Sequence, residues 1–154
     1  MKTDKNIALK MQLKEECIRL QKALADNAKA AMTNAQETAN DEKSAMEDKF
    51  ESFREQMQIE RDMYAKLYDE AMTTLENLEK INVNKIQDVA AAGSVVVTPE
   101  QKYFISISLG KVNLNGDTYM AISPQSPVFQ AMSGKKKGGT FTFRDKKLEI
   151  VEVF

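Results

Sequence analysis

The first half of the chain carries hydrophobic residues at the three-and-four spacing that is typical of long helices. No glycine or proline occurs from Lys5 to about Ile81, and the helix formers Ala, Glu, Lys, Met, Leu and Gln dominate there. Two apolar stripes follow this spacing, and each predicts a helix with one buried face. The first stripe consists of Leu13, Cys17, Leu20, Leu24, Ala28, Ala31 and Ala35, and the second of Phe50, Phe53, Met57, Tyr64, Leu67, Ala71, Leu78 and Ile81.

A polar stretch separates the two stripes. Residues 37–44 contain no large apolar side chain, and Ser44-Ala45-Met46-Glu47 has the capping-box pattern that begins a new helix. We therefore predict an antiparallel helical hairpin over residues 1–85, with an acidic tip near residues 37–48 and a length of about 50 Å. The alternative is one helix of roughly 80 residues, which would need a partner chain to cover its stripe.

The helical spacing of apolar residues ends near residue 85, and the rest of the chain contains glycine, proline and runs of β-branched residues. We predict a linker over residues 86–93 and a small β domain over residues 94–154. Strands are expected at 94–98, 103–112, 118–122, 140–144 and 147–154, in an antiparallel sheet. Asn115-Gly116-Asp117 predicts a tight turn, while Ser126, Pro127 and Gly134 predict the cap, start and end of one short helix.

These elements predict an α+β fold: a long N-terminal antiparallel helical hairpin followed by a small antiparallel β domain with one short helix. A domain of about 60 residues buries a small core, so we expect it to pack against the base of the hairpin.

Composition removes several classes of function. The chain contains no histidine, so the commonest general base, the commonest zinc ligand and any Ser-His or Cys-His nucleophile are absent. The single cysteine, Cys17, lies on the first stripe, where a buried thiol is expected. No apolar run approaches the roughly 20 residues that cross a bilayer, and the N-terminus lacks a signal-peptide core. We expect a cytoplasmic protein with no membrane partner.

Segment 121–135 reads Ala-Ile-Ser-Pro-Gln-Ser-Pro-Val-Phe-Gln-Ala-Met-Ser-Gly-Lys. It resembles the C-terminal signature of the GreA/GreB transcription elongation (transcript cleavage) factors, which is roughly I-S-x-D-S-P-(apolar)-x-x-A-(apolar)-x-G-K. The sequence continues as in that family, with a Lys/Gly stretch, a strand, a turn at residues 144–146 and a closing strand. The order of a helical hairpin and a small FKBP-like β domain is also similar, so the chain resembles a divergent family member.

The resemblance implies RNA polymerase as the partner. The β domain would dock at the rim of the polymerase secondary channel through a surface that includes Ser123, Gln125, Ser126 and Pro127, while the hairpin enters the channel. Through this contact the protein would modulate elongation or stimulate transcript cleavage.

The resemblance also implies a role for the acidic tip. In family members with cleavage activity, two tip acids help to hold a catalytic Mg²⁺ that activates water for RNA hydrolysis, a role suited to carboxylate oxygens. The candidates here are Asp41, Glu42 and Glu47, with Asp41 and Glu42 as ligands of a Mg²⁺ shared with polymerase. The protein alone would bind no cofactor, and it would act by stimulating the intrinsic cleavage activity of polymerase.

Three positions depart from the family pattern. Against the tip pattern D-x-x-E-N, Asp41 matches the first acid, but Ser44 and Ala45 stand where Glu and Asn are expected. Gln125 stands where the family carries an acid that helps to contact polymerase. A cleaving factor and a non-cleaving polymerase regulator therefore both stay open.

Other hypotheses rest on separate features. The apolar stripes also suit a coiled-coil adaptor with an unknown protein partner; we expect a monomer, with a coiled-coil dimer as the alternative. Peptidyl-prolyl isomerase activity would rest on the FKBP-like fold alone, and a fold does not establish a function. The lysines at 135–137 are interpreted as solvated charges at a helix end, and no aromatic-plus-basic face predicts direct sequence-specific binding of nucleic acid.

Overall fold

The structure is a computed structural model that describes residues 2–41 and 47–154, and the side chains of residues 2–38 and 51–154. In this part of the chain, two long helices, α1 (Lys2–Asp41) and α2 (Glu47–Glu79), precede the β-rich region. The strands are β1 (Val95–Val97), β2 (Lys102–Ile105), β3 (Gly110–Leu114), β4 (Asp117–Ile122), β5 (Thr140–Phe143), β6 (Lys146–Glu149) and β7 (Glu152–Val153), and the short helix α3 (Pro127–Met132) follows β4. The predicted fold class is confirmed.

The chain divides into two compact units. The globular unit comprises Met1–Leu20 and Asn77–Phe154, and the hairpin unit comprises Gln21–Glu76. Both helices contribute residues to both units. The domain limits near residues 85 and 94 stay a sequence-based prediction.

The two helices of the hairpin unit run antiparallel. The side-chain amide of Gln21 donates to the carbonyl oxygen of Ala71 at 3.0 Å, and the guanidinium of Arg61 donates to the side-chain oxygen of Gln36 at 3.1 Å. A position near the middle of α1 therefore pairs with a late position in α2, and a later position in α1 pairs with an earlier position in α2. This pairing confirms the hairpin and rules out one continuous helix, while residues 42–46 lie outside the described part.

The buried stripe of α1 follows the predicted one except at Leu24: Leu13, Cys17 and Ala35 are buried, and Leu20, Ala28 and Ala31 are half-buried. Leu24, predicted to lie on the stripe, is 52% exposed, whereas Ala25 is 2% exposed and Gln21 is 5% exposed. The stripe advances by four residues from Leu13 to Cys17, Gln21 and Ala25, and residues four apart share a helix face. The polar Gln21 is tolerated there because its amide is hydrogen-bonded across the hairpin.

The seam of α2 is also only partly as predicted. Leu78 is fully buried, but Leu67 is 46% exposed. Phe53, Met57 and Tyr64 are half-buried. The hairpin unit therefore encloses a thin apolar interior, in which alanines on α1 allow little side-chain volume.

The main sheet of the globular unit is mixed rather than wholly antiparallel as predicted. Its strand order is β3-β4-β2-β1-β7, and β2 and β4 pair in parallel, with Lys102 opposite Tyr119 and Ile105 opposite Ile122. The other pairings in this sheet are antiparallel. The reason is topological: β3 and β4 form a hairpin, and its second strand inserts beside β2. β5 and β6 form a separate two-stranded sheet.

Two of the predicted strands are each broken in two. Residues 103–112 divide into β2 and β3, because the amide of Leu109 donates to the carbonyl of Ile107 at 3.0 Å and Gly110 follows with a φ of 78°. The last predicted strand divides into β6 and β7. Between them, the amide of Ile150 donates to the carbonyl of Gly139 and the amide of Val151 donates to the carbonyl of Val97. Ile107 lies between β2 and β3 and is still buried. The alternation of apolar residues therefore continues through the turn, which is why the sequence predicted a single strand.

Two tight hairpins have left-handed turn residues. In the β3–β4 hairpin these are Asn115 and Gly116, with φ of 53° and 84°, as the sequence predicted. In the β5–β6 hairpin they are Arg144 and Asp145, with φ of 52° and 62°. Asn and Gly adopt this conformation readily, whereas a long side chain such as Arg adopts it at a steric cost.

The main sheet is covered on both faces. One apolar cluster joins Val95, Phe104 and Val112 to Leu13 and Cys17 of α1 and Leu78 of α2. The opposite cluster joins Val96, Ile105 and Ile150 to Val128, Phe129 and Met132 of α3, and to Phe141 of β5. The helix ends within the globular unit thus supply part of its core, as expected for so small a domain.

Candidate functional site

The loop from Ser123 to Pro127 connects β4 to α3 and contains all four predicted partner-binding residues. The hydroxyl of Ser126 accepts from the amide of Phe129 at 3.3 Å and donates to the carbonyl of Ser123 at 2.7 Å. Pro127 occupies the first helical turn, where its missing amide hydrogen costs nothing. Ser126 is therefore the N-cap that the sequence predicted.

The loop is held by its own hydrogen bonds and presents a neutral polar surface. The Ser123 hydroxyl accepts from the amide of Gln125 at 3.1 Å, and the Ser126 amide donates to the Ser123 carbonyl at 3.0 Å. Gln125 and Pro127 are exposed, while Ser123 and Ser126 are half-buried. Residues 121–134 contain no ionisable side chain, so any partner would meet hydrogen-bonding groups here rather than a charge.

The side chains of the three predicted tip acids lie outside the described part of the structure. Asp41 is the last residue of α1 and Glu47 the first of α2, but their side chains, and Glu42 as a whole, are not among those described. Their roles as tip acids and Mg²⁺ ligands stay predictions. Among the described residues, no three Cys, Asp or Glu side chains come close enough together to hold a metal ion.

Two lysines of α1 hold the end of α2, and the sequence analysis missed both. The ammonium of Lys14 donates to the carbonyls of Glu79 and Ile81 at 2.9 and 2.7 Å, and that of Lys10 donates to the carbonyl of Lys85 at 2.6 Å. α2 has no basic residue in its own last turn. Lys10 and Lys14 therefore donate to carbonyls at and beyond a helix end, where the backbone has no partner within the helix.

Lys10 is fully buried, which is unusual for lysine. Burial, and secondarily the positive charge of Lys85, lowers the pKa of Lys10 from 10.5 to about 8. The sequence did contain a signal, because Lys10 lies three residues before Leu13 and so continues the first apolar stripe toward the N-terminus.

Cys17 is fully buried between the helix and the sheet, as predicted. Burial raises the pKa of its thiol to about 12. A thiol so far from ionisation is a poor nucleophile, so Cys17 is a core residue.

No helix in the described ranges combines the length and apolar character needed to cross a bilayer.

No protein-family model matches the chain, and no curated protein matches it. One similar solved structure is described as the transcription factor Gfh1; it is 17% identical, with 88% of this chain and 92% of that chain covered and a TM-score of 0.35. A second is GreA factor homolog 1 (Gfh1) of Thermus thermophilus, 17% identical, with 89% and 94% covered and a TM-score of 0.35.

Proposed function

We propose that the protein is a GreA/GreB-like transcription factor that binds RNA polymerase through the 123–127 loop of its globular unit. Its hairpin would extend into the secondary channel and modulate elongation there. The observation that supports this proposal is the 121–135 segment, whose resemblance to the family signature is matched by the local structure that its Ser and Pro residues favour: a capped turn with Gln125 and Pro127 exposed.

The geometry suits a docking surface because the loop is preorganised. Its backbone is fixed by internal hydrogen bonds, so little conformational entropy would be lost on binding. With Gln125 in place of an acid, the contact would rest on hydrogen bonds and shape, and we expect its affinity to depend only weakly on salt.

The test is equilibrium binding of the purified protein to its cognate core RNA polymerase. Replacing Gln125 by Ala should weaken binding by about threefold to tenfold, the usual effect of losing one hydrogen bond. Gln125→Asp restores the family residue and should strengthen binding while making it more sensitive to salt. Thr140→Ala, at an exposed position of β5, serves as a control that should bind like the wild type.

A double variant, Ser126→Ala with Pro127→Ala, removes the N-cap hydroxyl and the proline ring and should reduce binding further. Its circular dichroism spectrum has to match the wild type before the result is interpreted. Absence of saturable binding by the wild-type protein would refute the proposal. If binding is found, a Mg²⁺-dependent RNA cleavage assay on stalled complexes separates a cleaving factor from a non-cleaving regulator.

A coiled-coil adaptor is the second candidate, and one observation favours it. Ile59, Met63 and Leu67 are spaced by four residues on α2 and are 69%, 49% and 46% exposed. Side chains at this spacing share a helix face, so they form an apolar strip on the hairpin unit. Sedimentation equilibrium tests self-association. A dimer that Met63→Lys dissociates would support the adaptor. A monomer at high concentration would exclude self-association through this strip, so that the adaptor would need a different protein as its partner.

A further inference from the structure

A small pocket opens in the globular unit between the β1–β2 loop and the tip of the β5–β6 hairpin. Its volume is about 220 Å³. Half-buried Tyr103, Phe143 and Leu148 form its apolar side, and exposed Glu100, Arg144 and Lys146 form its rim. Ligand pockets usually start at about 300 Å³, so this one has room for a single large side chain rather than a whole cofactor.

The pocket is separate from the loop proposed to bind polymerase. Tyr103 lies at the start of β2, which runs parallel to β4, and the 123–127 loop follows the far end of β4. The two sites therefore lie toward opposite ends of the same pair of strands, and occupation of one does not require the other.

Of the two cations on the rim, Lys146 is paired with an acid and Arg144 is not paired with any acid in the described part of the chain. Lys146 forms an ion pair with Glu100, which ties the hairpin tip to the β1–β2 loop. Arg144 makes no ion pair with the described residues and lies over the ring of Phe143, 5.1 Å from its centroid. A guanidinium held beside an apolar pocket is suited to a carboxylate that is attached to an apolar group.

The backbone that places this guanidinium at the rim is in a sterically unfavourable conformation. Arg144 and Asp145 both have positive φ, a turn that the β3–β4 hairpin makes with the more suitable Asn115 and Gly116. The strained conformation of a long cationic residue at the edge of a pocket is the kind of local conflict that accompanies binding sites.

We propose that this pocket binds the C-terminus of a partner protein that ends in a large apolar residue. The apolar side chain occupies the space beside Tyr103, Phe143 and Leu148, and the terminal carboxylate pairs with Arg144. A chain end is favoured over a strand passing through, because the Lys146–Glu100 ion pair bridges the two walls.

The test uses three small probes and NMR chemical-shift titration of the full-length protein. N-acetyl-L-leucine carries both features, N-acetyl-L-leucinamide lacks the carboxylate, and N-acetyl-L-alanine lacks the large side chain. We expect N-acetyl-L-leucine to shift the amide signals of Tyr103, Phe143 and Arg144 with a dissociation constant on the order of 1 mM, as for a good ligand of this size. The other two should bind at least about threefold more weakly.

A paired set of variants separates binding from folding. Arg144→Asn with Asp145→Gly gives the hairpin a favourable turn sequence, so this variant should be at least as stable as the wild type yet lose its preference for the acid over the amide. Asp145→Gly alone keeps the guanidinium and should keep the preference. Lys111→Gln, at an exposed cation on β3 away from the pocket, controls for general charge effects.

Two outcomes would overturn the proposal. One is the absence of shifts at the pocket up to the solubility limit of N-acetyl-L-leucine. The other is equal binding of acid and amide by the wild type. Neither result bears on polymerase binding, which is tested at the other site.

Discussion

Lys10 places a cationic group where the protein excludes water, and the consequence is a specific dependence of stability on pH. The folded pKa of about 8 lies below the unfolded value of 10.5, so the unfolded chain binds more protons between these two values. The free energy of unfolding should therefore rise as the pH increases from about 8 toward 10.5, by an amount on the order of 1 to 3 kcal/mol from this residue. Below pH 8 the full desolvation penalty is present.

The measurement compares urea unfolding of the wild type and Lys10→Met at pH 7.5 and pH 10. Methionine has a similar length and no charge, so the difference between the two proteins isolates Lys10 from every other titrating group. The gap in stability should shift in favour of the wild type as the pH rises. A gap that does not change with pH would show that Lys10 remains protonated without penalty.

Residues that act locally were the ones that sequence could predict. Asn115 and Gly116 dictate their turn, and Ser126 and Pro127 dictate the start of α3, because each effect depends on chemistry within four residues. Lys10 was missed for the opposite reason: its partner is the carbonyl of Lys85, 75 residues away. Nothing near Lys10 in the sequence indicates that distant acceptor.

At the scale of elements, both long helices were predicted, and the error on the α1 stripe is confined to Leu24. Leu24 and Ala25 are adjacent, and a shift of one residue turns a helix by about 100°. Where the two compete for the stripe, hydrophobicity favours Leu24 over Ala25. The structure buries Ala25 instead, one turn after Gln21, whose side-chain amide is hydrogen-bonded to α2.

This register makes a testable contrast between neighbouring residues. Leu24→Ala should change the free energy of unfolding by less than about 0.5 kcal/mol, because the side chain is 52% exposed. Ala25→Leu should destabilise the protein by about 1 to 3 kcal/mol, since the added atoms have no room at a position that is 2% exposed. Thermal unfolding followed at 222 nm measures both, and the reverse order would show that Leu24 rather than Ala25 is the buried residue.

Strand pairing was the least predictable level of the fold. Alternation of apolar residues identified where strands lie, but the parallel contact of β2 and β4 joins segments separated by the whole of β3. Pattern within one strand cannot specify which other strand lies beside it. The same limit concealed the pocket, because Tyr103 and Arg144 come together only when the β5–β6 hairpin folds toward β1 and β2.

For the whole molecule, the two units differ in how much apolar surface they bury. The globular unit has apolar clusters on both faces of its main sheet, whereas the described part of the hairpin unit buries only a few side chains completely. Hydrogen exchange should reflect this difference, with peptides from residues 51–76 opening at a free energy at least about 2 kcal/mol lower than peptides from β1, β2 and β4. Mass spectrometry of deuterium uptake measures it, and equal protection would mean that both units open together.

Because Cys17 is buried, the rate at which its thiol is labelled reports how fast the core around it opens. Cys17 is the one cysteine in the sequence, and it lies fully enclosed in the cluster that joins α1 to the main sheet. A thiol reagent in solution can reach it only after that cluster opens, and an opened thiol regains its ordinary reactivity. At saturating reagent, the rate at which the chain gains a label therefore equals the rate at which α1 leaves the sheet. A partner that binds only the closed form would slow that rate without touching the sulfur.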